Sequence, residues 1–376
     1  MFNMDLYTNW TEFTSPWDLL IDCILLNEGY SNASNTVCIV STVFGVLMGY
    51  IFPFIGLFNI ISNCMIIIIF FNSMINYNKQ FILLGILSIT DIGIILFVGW
   101  LRLFPTFGLP YMTSGTIYYF ILTRSSLSCK LFTFFQAFFC TLRGNLFILL
   151  AIDRFILIYK PLIYNKLSNQ YNWLLILIII IITIIIVLPL TILADLIEIR
   201  QLTVCWFLDN TNYLLIHQAL LSNTCPIQLT LVTLVDLFFL IKVIKWTRNL
   251  QRVGHSTSSS TSTLTSSTTT TNKVNISLIV TMLILQIVAF LFSLPNSIVY
   301  LISLTIDFQL ISSDIVRLLV ITSNMSWNLI FFQSSFNIFI YYYRIRKFNQ
   351  LLKQWIIYCQ CNRHKSIQQN SSITNR

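Results

Sequence analysis

The sequence predicts an all-α membrane protein: a seven-transmembrane helix bundle with a short amphipathic eighth helix. Three observations predict it. Apolar residues make up 56% of the 376 residues and charged residues only 9%, against about 25% charge in an ordinary soluble domain. The apolar residues gather into seven runs, each near the about 20 residues that a helix needs to cross the hydrocarbon. The basic residues then fall between those runs in a one-sided pattern. The formal net charge is +9, but the Lys and Arg sit in short clusters between apolar runs, which excludes a nucleic-acid binder. The nine Cys form no CxxC pair, so neither a zinc site nor a redox pair is expected, and no metal or cofactor is.

The elements follow in order. Residues 1–42 form a tail that holds Asp5, Glu12, Asp18, Asp22 and Glu28 and no Lys or Arg. It has no basic segment leading into an apolar stretch, so no cleavable signal peptide is expected, and span one is read as its own signal anchor. Asn9-Trp-Thr11 and Asn32-Ala-Ser34 are glycosylation sequons on that tail. Span one lies within Val43–Phe71. Span two is Phe81–Trp100, with one charge, Asp91. Span three is Leu131–Ile152, with one charge, Arg143. Span four is Trp173–Ala194. Span five is Leu214–Ile241, charged only at Asp236. Span six runs from Val274 to near Leu304, and span seven from Leu318 to Tyr343. The runs are too long for membrane strands and show no alternation. Gly45-Val-Leu-Met-Gly49 in span one is a GxxxG, whose plainer reading is a chance match beside a helix-packing face.

Sixteen of the 22 basic residues follow spans one, three, five and seven. Only Arg102, Arg124, Lys130, Arg200 and Arg317 fall on the other side. The positive-inside rule then puts the N-terminus outside, the C-terminus in the cytoplasm and the bundle, 43–343, in the plasma membrane. Residues 256–271 are Ser or Thr at every position but Leu264, so a disordered loop is expected over about 254–272. Beyond span seven the stretch 344–376 opens with Phe348, Leu351, Leu352, Trp355 and Ile356 at i, i+3, i+4, i+7 and i+8. That is an amphipathic helix for the inner leaflet lipid. Cys359 and Cys361 just after it are candidate palmitoylation sites, with free thiols as the equal alternative.

Asp91 and Arg143 are the charges deepest in the bilayer. Asp91 is 12 residues past Lys79 and Arg143 is 11 before Arg154, placing them about 18 and 16 Å from the same face. Either alone in hydrocarbon is costly, so a core polar pair is expected. Arg143 turning instead to Asn145 or Gln333 is the alternative.

The motifs taken together resemble the rhodopsin-like G-protein-coupled receptors, over roughly Val43 to Trp355. Ala-Ile-Asp153-Arg154-Phe155 with Tyr159-Lys-Pro161 matches the family's DRY box. Leu87-Ser-Ile-Thr-Asp91, Asn63, Trp173, Pro226 and Pro295 match its marks on spans two, one, four, five and six. Asn337-Ile-Phe-Ile-Tyr341 matches NPxxY with Ile338 in place of Pro. Ser293 and Leu234 also depart from its Trp and Tyr.

The resemblance implies a ligand-driven switch acting on a heterotrimeric G protein through Asp153, Arg154, Phe155, Asn337 and Tyr341. In the family the Arg holds spans three and six together when inactive. It implies a disulfide between Cys129 and Cys205. Cys23 and Cys38 offer a second bridge, with free thiols as the even alternative. Receptor kinases and arrestin would act on the Ser/Thr-rich loop, with an inert spacer as the alternative. Gln136 stands where amine receptors carry an Asp, and Phe331 where opsins carry the retinal Lys. With Phe292 they form the candidate ligand pocket. Ten acids against five bases on the outer side favour a cationic peptide. The style of span seven is similar to invertebrate neuropeptide receptors. In most members the residue matching Asp91 helps bind a sodium ion, a place Arg143 would fill with its own charge. The alternatives are a receptor that couples weakly and, from another class, a transporter, although no repeat between the two halves is seen. Three scattered His and no HExxH or GxSxG argue against an enzyme.

Overall fold

The computed structural model describes residues 20–29, 33–74, 80–119, 121–159, 169–199, 202–207, 230–242, 266–305 and 313–355, with the single residues 164, 245 and 357. Six helices among them are long and apolar enough to cross a membrane. Lipid offers a backbone no hydrogen-bond partner, so these apolar stretches close their own i→i+4 ladders. Span one is helical over Asn35–Met74, span two over Gln80–Met112, span three over Ser126–Tyr159 and span four over Asn169–Leu193. Span six covers Ser266–Thr305 and span seven Ser313–Arg344. Span five is described only over residues 230–242, which are helical.

Both of the first two spans exceed their expected ranges. Span one starts at Asn35, where the Ser34 hydroxyl accepts from the Val37 N–H and caps the helix. Span two continues for three turns past Trp100. Its residues Ile95–Gly108 wind as a π-helix around Pro105, which has no N–H to give to a tighter ladder. Arg102, placed by the sequence in an outer loop, therefore belongs to this helix. The extension packs on Gly45 and Gly49. A Cβ on Gly45 would lie 2.2 Å from the Tyr111 ring, and one on Gly49 2.8 Å from Met112. The GxxxG is thus a packing seam within the chain, not a chance match.

Two further corrections concern the connections. Helix six begins at Ser266, inside the stretch expected to be disordered, because the ladder of the apolar segment from Val274 propagates backward into it. The connection after span four is a hairpin. Strand β1, Ala194–Ile199, pairs antiparallel with β2, Leu202–Phe207, and Leu196 faces Cys205.

The core has two apolar parts. One joins Ile66, Phe70, Leu84, Leu146, Met282, Ile338 and Tyr341 near the Arg154 end. The other joins Phe44, Phe52, Val98, Phe107 and Phe331 near the opposite end. The first is called the basic end below and the second the acidic end, after the charges that flank them. Residues 346–355 form the eighth helix. Phe348 is fully buried against Phe70 and Tyr341, at ring distances of 5.6 and 5.8 Å.

Candidate functional site

The middle of the bundle holds a buried polar chain across spans one, two, three and seven. Arg143 Nε lies 2.7 Å from Asp91 Oδ1, and both side chains are out of contact with solvent. Arg143 also donates to Gln333 Oε1 through a short hydrogen bond. Gln333 Nε2 donates to Asn337 Oδ1 at 3.0 Å, and Asn337 Nδ2 donates back to Asp91 Oδ2 at 3.2 Å. The loop Asp91–Arg143–Gln333–Asn337 is therefore closed. The Phe147 ring, 5.2 Å from the guanidinium carbon, covers one face of Arg143. Asn63 extends the chain to Ser334 at 3.3 Å, and Asn59 Nδ2 donates to the Phe331 carbonyl at 3.1 Å. Both sequence alternatives for Arg143 are partly met: it takes Asp91 and Gln333 together, while Asn145 donates to Thr183 of span four.

The basic end is built differently. Asp153 does not pair with its neighbour Arg154. Its Oδ2 accepts from Gln80 Nε2 at 2.7 Å and from the Tyr164 hydroxyl at 3.2 Å. Burial pushes the Tyr164 hydroxyl up from its ordinary range, and the Asp153 charge adds to that. Arg154 is fully buried and donates from Nε to the Leu150 carbonyl at 3.1 Å. Its Nη1 lies 3.5 Å from Asp236 Oδ1 on span five. That is a Coulomb contact longer than a hydrogen bond, and Nη1 and Nη2 have no hydrogen-bond partner.

The expected clamp to span six is thus replaced by one to span five. The reason is in the sequence. Ser266–Thr305 contains no Asp or Glu, and with Asp153 engaged, Asp236 is the acid left in reach. This elimination could have identified Asp236 beforehand. Phe155 stacks on Tyr159 at 4.2 Å. Tyr341 is buried against Phe70 at 5.1 Å, and its hydroxyl has no hydrogen-bond partner.

The acidic end is tied covalently. Cys129 at the start of span three is bonded to Cys205 on β2. Cys23, on the helix Ile21–Asn27, is bonded to Cys38 on span one. Asp22 is 2% exposed and meets Arg317 of span seven at 2.8 Å, while its Oδ1 accepts from the Ser34 N–H at 3.2 Å. Burial pushes the Asp22 carboxyl above 3.8, against the opposing pull of Arg317 and Ser34. Asp195 on β1 moves the other way. The Ser126 hydroxyl first, then the Leu196 N–H, hold it below 3.8.

The three pocket candidates face different seams. Gln136 accepts from Arg102 Nη1 at 3.0 Å. Phe292 stacks with Phe332 at 6.2 Å. Phe331 is buried, 5.5 Å from Phe52 and 6.3 Å from Trp327. Sequence reasoning missed Arg102, Gln80 and Arg317 as site residues. Asn9, Asn32, Cys359 and Cys361 lie outside the described residues. Among the described residues, no group of three or more His, Cys, Asp or Glu is placed to hold a metal ion.

A family model described as 7 transmembrane receptor (rhodopsin family) matches residues 62–345. No curated protein matches the chain.

Proposed function

Because the chain belongs to the rhodopsin family of 7 transmembrane receptors, we propose that it answers to an extracellular neuropeptide and that the ligand acts by parting Arg154 from Asp236. Family membership makes the chain a multi-pass G-protein-coupled receptor whose partners are a ligand and a heterotrimeric G protein. The orientation, with the acidic end outside, rests on the positive-inside pattern.

The observation that carries the switch is the Arg154–Asp236 contact itself. A buried guanidinium held at 3.5 Å by one carboxylate is a two-state element. Outward movement of spans five and six removes its partner and offers the Arg to a protein docked from the cytoplasm. Asp153 stays tied to Gln80 and Tyr164, so the change is confined to one contact.

The ligand class is supported by charge. Arg102 places a guanidinium 3.0 Å from Gln136, which disfavours a ligand amine at that point. The ten acids on the outer side, Asp195 on the hairpin among them, attract a cationic peptide from solution. A screen of peptides against the full-length receptor with a promiscuous G protein tests the reading. Cationic peptides should drive nucleotide exchange, and Arg154→Ala should silence it. Exchange driven only by amines or lipids would overturn the peptide assignment. A second reading, a receptor that binds its ligand but couples weakly, is favoured by Leu234, which is 46% exposed and offers no hydroxyl towards Arg154. Binding without exchange in the same screen would select it.

The sodium ion that the family implies does not fit here. Arg143 occupies the Asp91 carboxylate at 2.7 Å, and Asn337 holds its other oxygen. Agonist affinity should therefore be the same in sodium and in choline. A sodium-dependent shift lost in Asp91→Asn would refute this.

A further inference from the structure

Spans three, five and six do not close on one another in the inner half of the bundle. Between them lies an open cleft of about 790 Å³, a figure that takes in the open space at its mouth. Gly144 and Phe147 form its back wall, and Leu237, Ile287 and Phe290 are among its apolar sides. Gly144 is ten residues before Arg154, about 15 Å from that level, so the cavity lies in hydrocarbon. Leu237 and Ile287 at its rim are 52% and 45% exposed on apolar spans. The rim is therefore open towards the bilayer.

Two polar atoms of the wall have no hydrogen-bond partner among the described residues: Asp236 Oδ1, which faces Arg154 at 3.5 Å, and Gln286 Oε1, which faces no charge. Gln286 is 4% exposed. Its Nε2 is spent on the Phe147 carbonyl at 3.0 Å, pinning span six to span three. Its Oε1 has no hydrogen-bond partner. A buried amide oxygen without a donor is rare in native proteins. One amide hydrogen is engaged in that bond, and the carbonyl oxygen is the side-chain atom left without any partner. The wall therefore suits an apolar body that brings a hydrogen-bond donor to Gln286 Oε1.

We propose that this cavity binds a neutral membrane amphiphile bearing a single hydroxyl, which donates to Gln286 Oε1. A sterol and a long-chain alcohol share that chemistry. Because Asp236 also lines the cavity, the occupant sits beside the Arg154–Asp236 contact. Its binding does not depend on which ligand the acidic end takes or on coupling to a G protein.

The test uses the full-length receptor in nanodiscs of phosphatidylcholine. Two photoreactive probes are applied, a diazirine sterol and a diazirine long-chain alcohol. Each is competed by its unlabelled parent and by the parent's O-methyl ether, which cannot donate. Saturable labelling of spans three, five and six by at least one probe is expected, and the probe that labels identifies the source. The ether should compete about tenfold less well than the alcohol, the factor that about 1.4 kcal/mol supplies. Gln286→Leu should erase that preference. Thr233→Phe, at a lipid-exposed position of the wall, should remove the labelling and leaves Gln286 in place if the first variant fails to fold. Labelling that is non-saturable, that falls outside these spans, or that the ether competes as well as the alcohol overturns the proposal.

Discussion

Arg143 and Arg154 stand three turns apart on one helix, and both are fully buried, yet they are held in different ways. Arg143 has a carboxylate at 2.7 Å, a second partner in Gln333, and a closed loop that returns through Asn337 to the same Asp91. Arg154 has one carboxylate at 3.5 Å and one hydrogen bond, to the Leu150 carbonyl of its own helix, while each arginine keeps two nitrogens without a hydrogen-bond partner. A charge in low dielectric is stabilised more strongly by a closer partner. The first arginine therefore fixes spans two, three and seven to one another. The second is held to span five by one longer contact and is the easier of the two to part. Placement on one helix lets movement at the second be measured against a first that does not move.

The sharpest way to break this comparison is to remove Asp91. Asp91→Leu leaves the Arg143 guanidinium buried and unpaired. It should cost about 3–5 kcal/mol of stability, seen as a lower thermal midpoint of the purified receptor. Adding Arg143→Met should recover most of the loss, since an apolar pair of similar volume avoids the desolvation cost. A single variant as stable as the parent would mean that Arg143 finds another partner and fixes nothing.

Asp236→Asn probes the other arginine and should act on activity before stability. Basal nucleotide exchange should rise several-fold, while the thermal midpoint falls less than in Asp91→Leu. Unchanged basal exchange would place the switch elsewhere.

Gln80→Leu should do less. It takes one donor from Asp153 and leaves Tyr164, so about 0.5–1.5 kcal/mol is lost. Hydrogen exchange in the first turns of span two would report it, and an effect as large as that of Asp91→Leu would make the basic end as rigid as the middle.

The smallest effect expected is a pH dependence at the acidic end. The Asp22 carboxyl is raised above 3.8 by burial, with Arg317, Ser34 and Asp314 facing it. The folded state then holds the proton more tightly than the unfolded one. Docking of the helix Ile21–Asn27 is strongest below about pH 3.8 and weakens as the pH rises through the raised value. Intrinsic-rate-corrected hydrogen exchange in residues 21–27 should quicken over that window and lose the dependence in Asp22→Asn.

Much of the fold was legible because lipid imposes a simple code. Long apolar runs and sided Lys and Arg place the spans. Depth along a helix brings Asp91 and Arg143 to one level. Depth does not tell rotation, so Gln333 remained an alternative to Asp91 when it is a partner beside it. The partner of Arg154 was read from resemblance and came out on the wrong helix, although the acid-free span six pointed to Asp236. Arg102 was assigned to a loop because a charge and Pro105 end an apolar run, whereas the helix continues in π winding to Met112. The hairpin was missed because Ala194–Ile199 alternates too weakly to stand out. The ligand pocket was the least legible part. Phe331 occupies its expected position in the chain but turns to Phe52, a matter of packing that spacing does not encode.

The paired extension of the first two spans also bears on how the bundle meets the edge of the bilayer. Apolar helices of 40 and 33 residues reach about 60 and 50 Å at 1.5 Å per residue, against about 30 Å of average hydrocarbon. Glycine-to-ring contact along Gly45, Gly49, Tyr111 and Met112 locks the two together, so neither can shorten its reach by tilting alone. Such a rigid, over-long pair stands out of the hydrocarbon at the acidic end, where both extensions lie. The paired ends thereby form a stiff post at the edge of the bilayer, to which the Cys23–Cys38 bridge fastens the helix Ile21–Asn27.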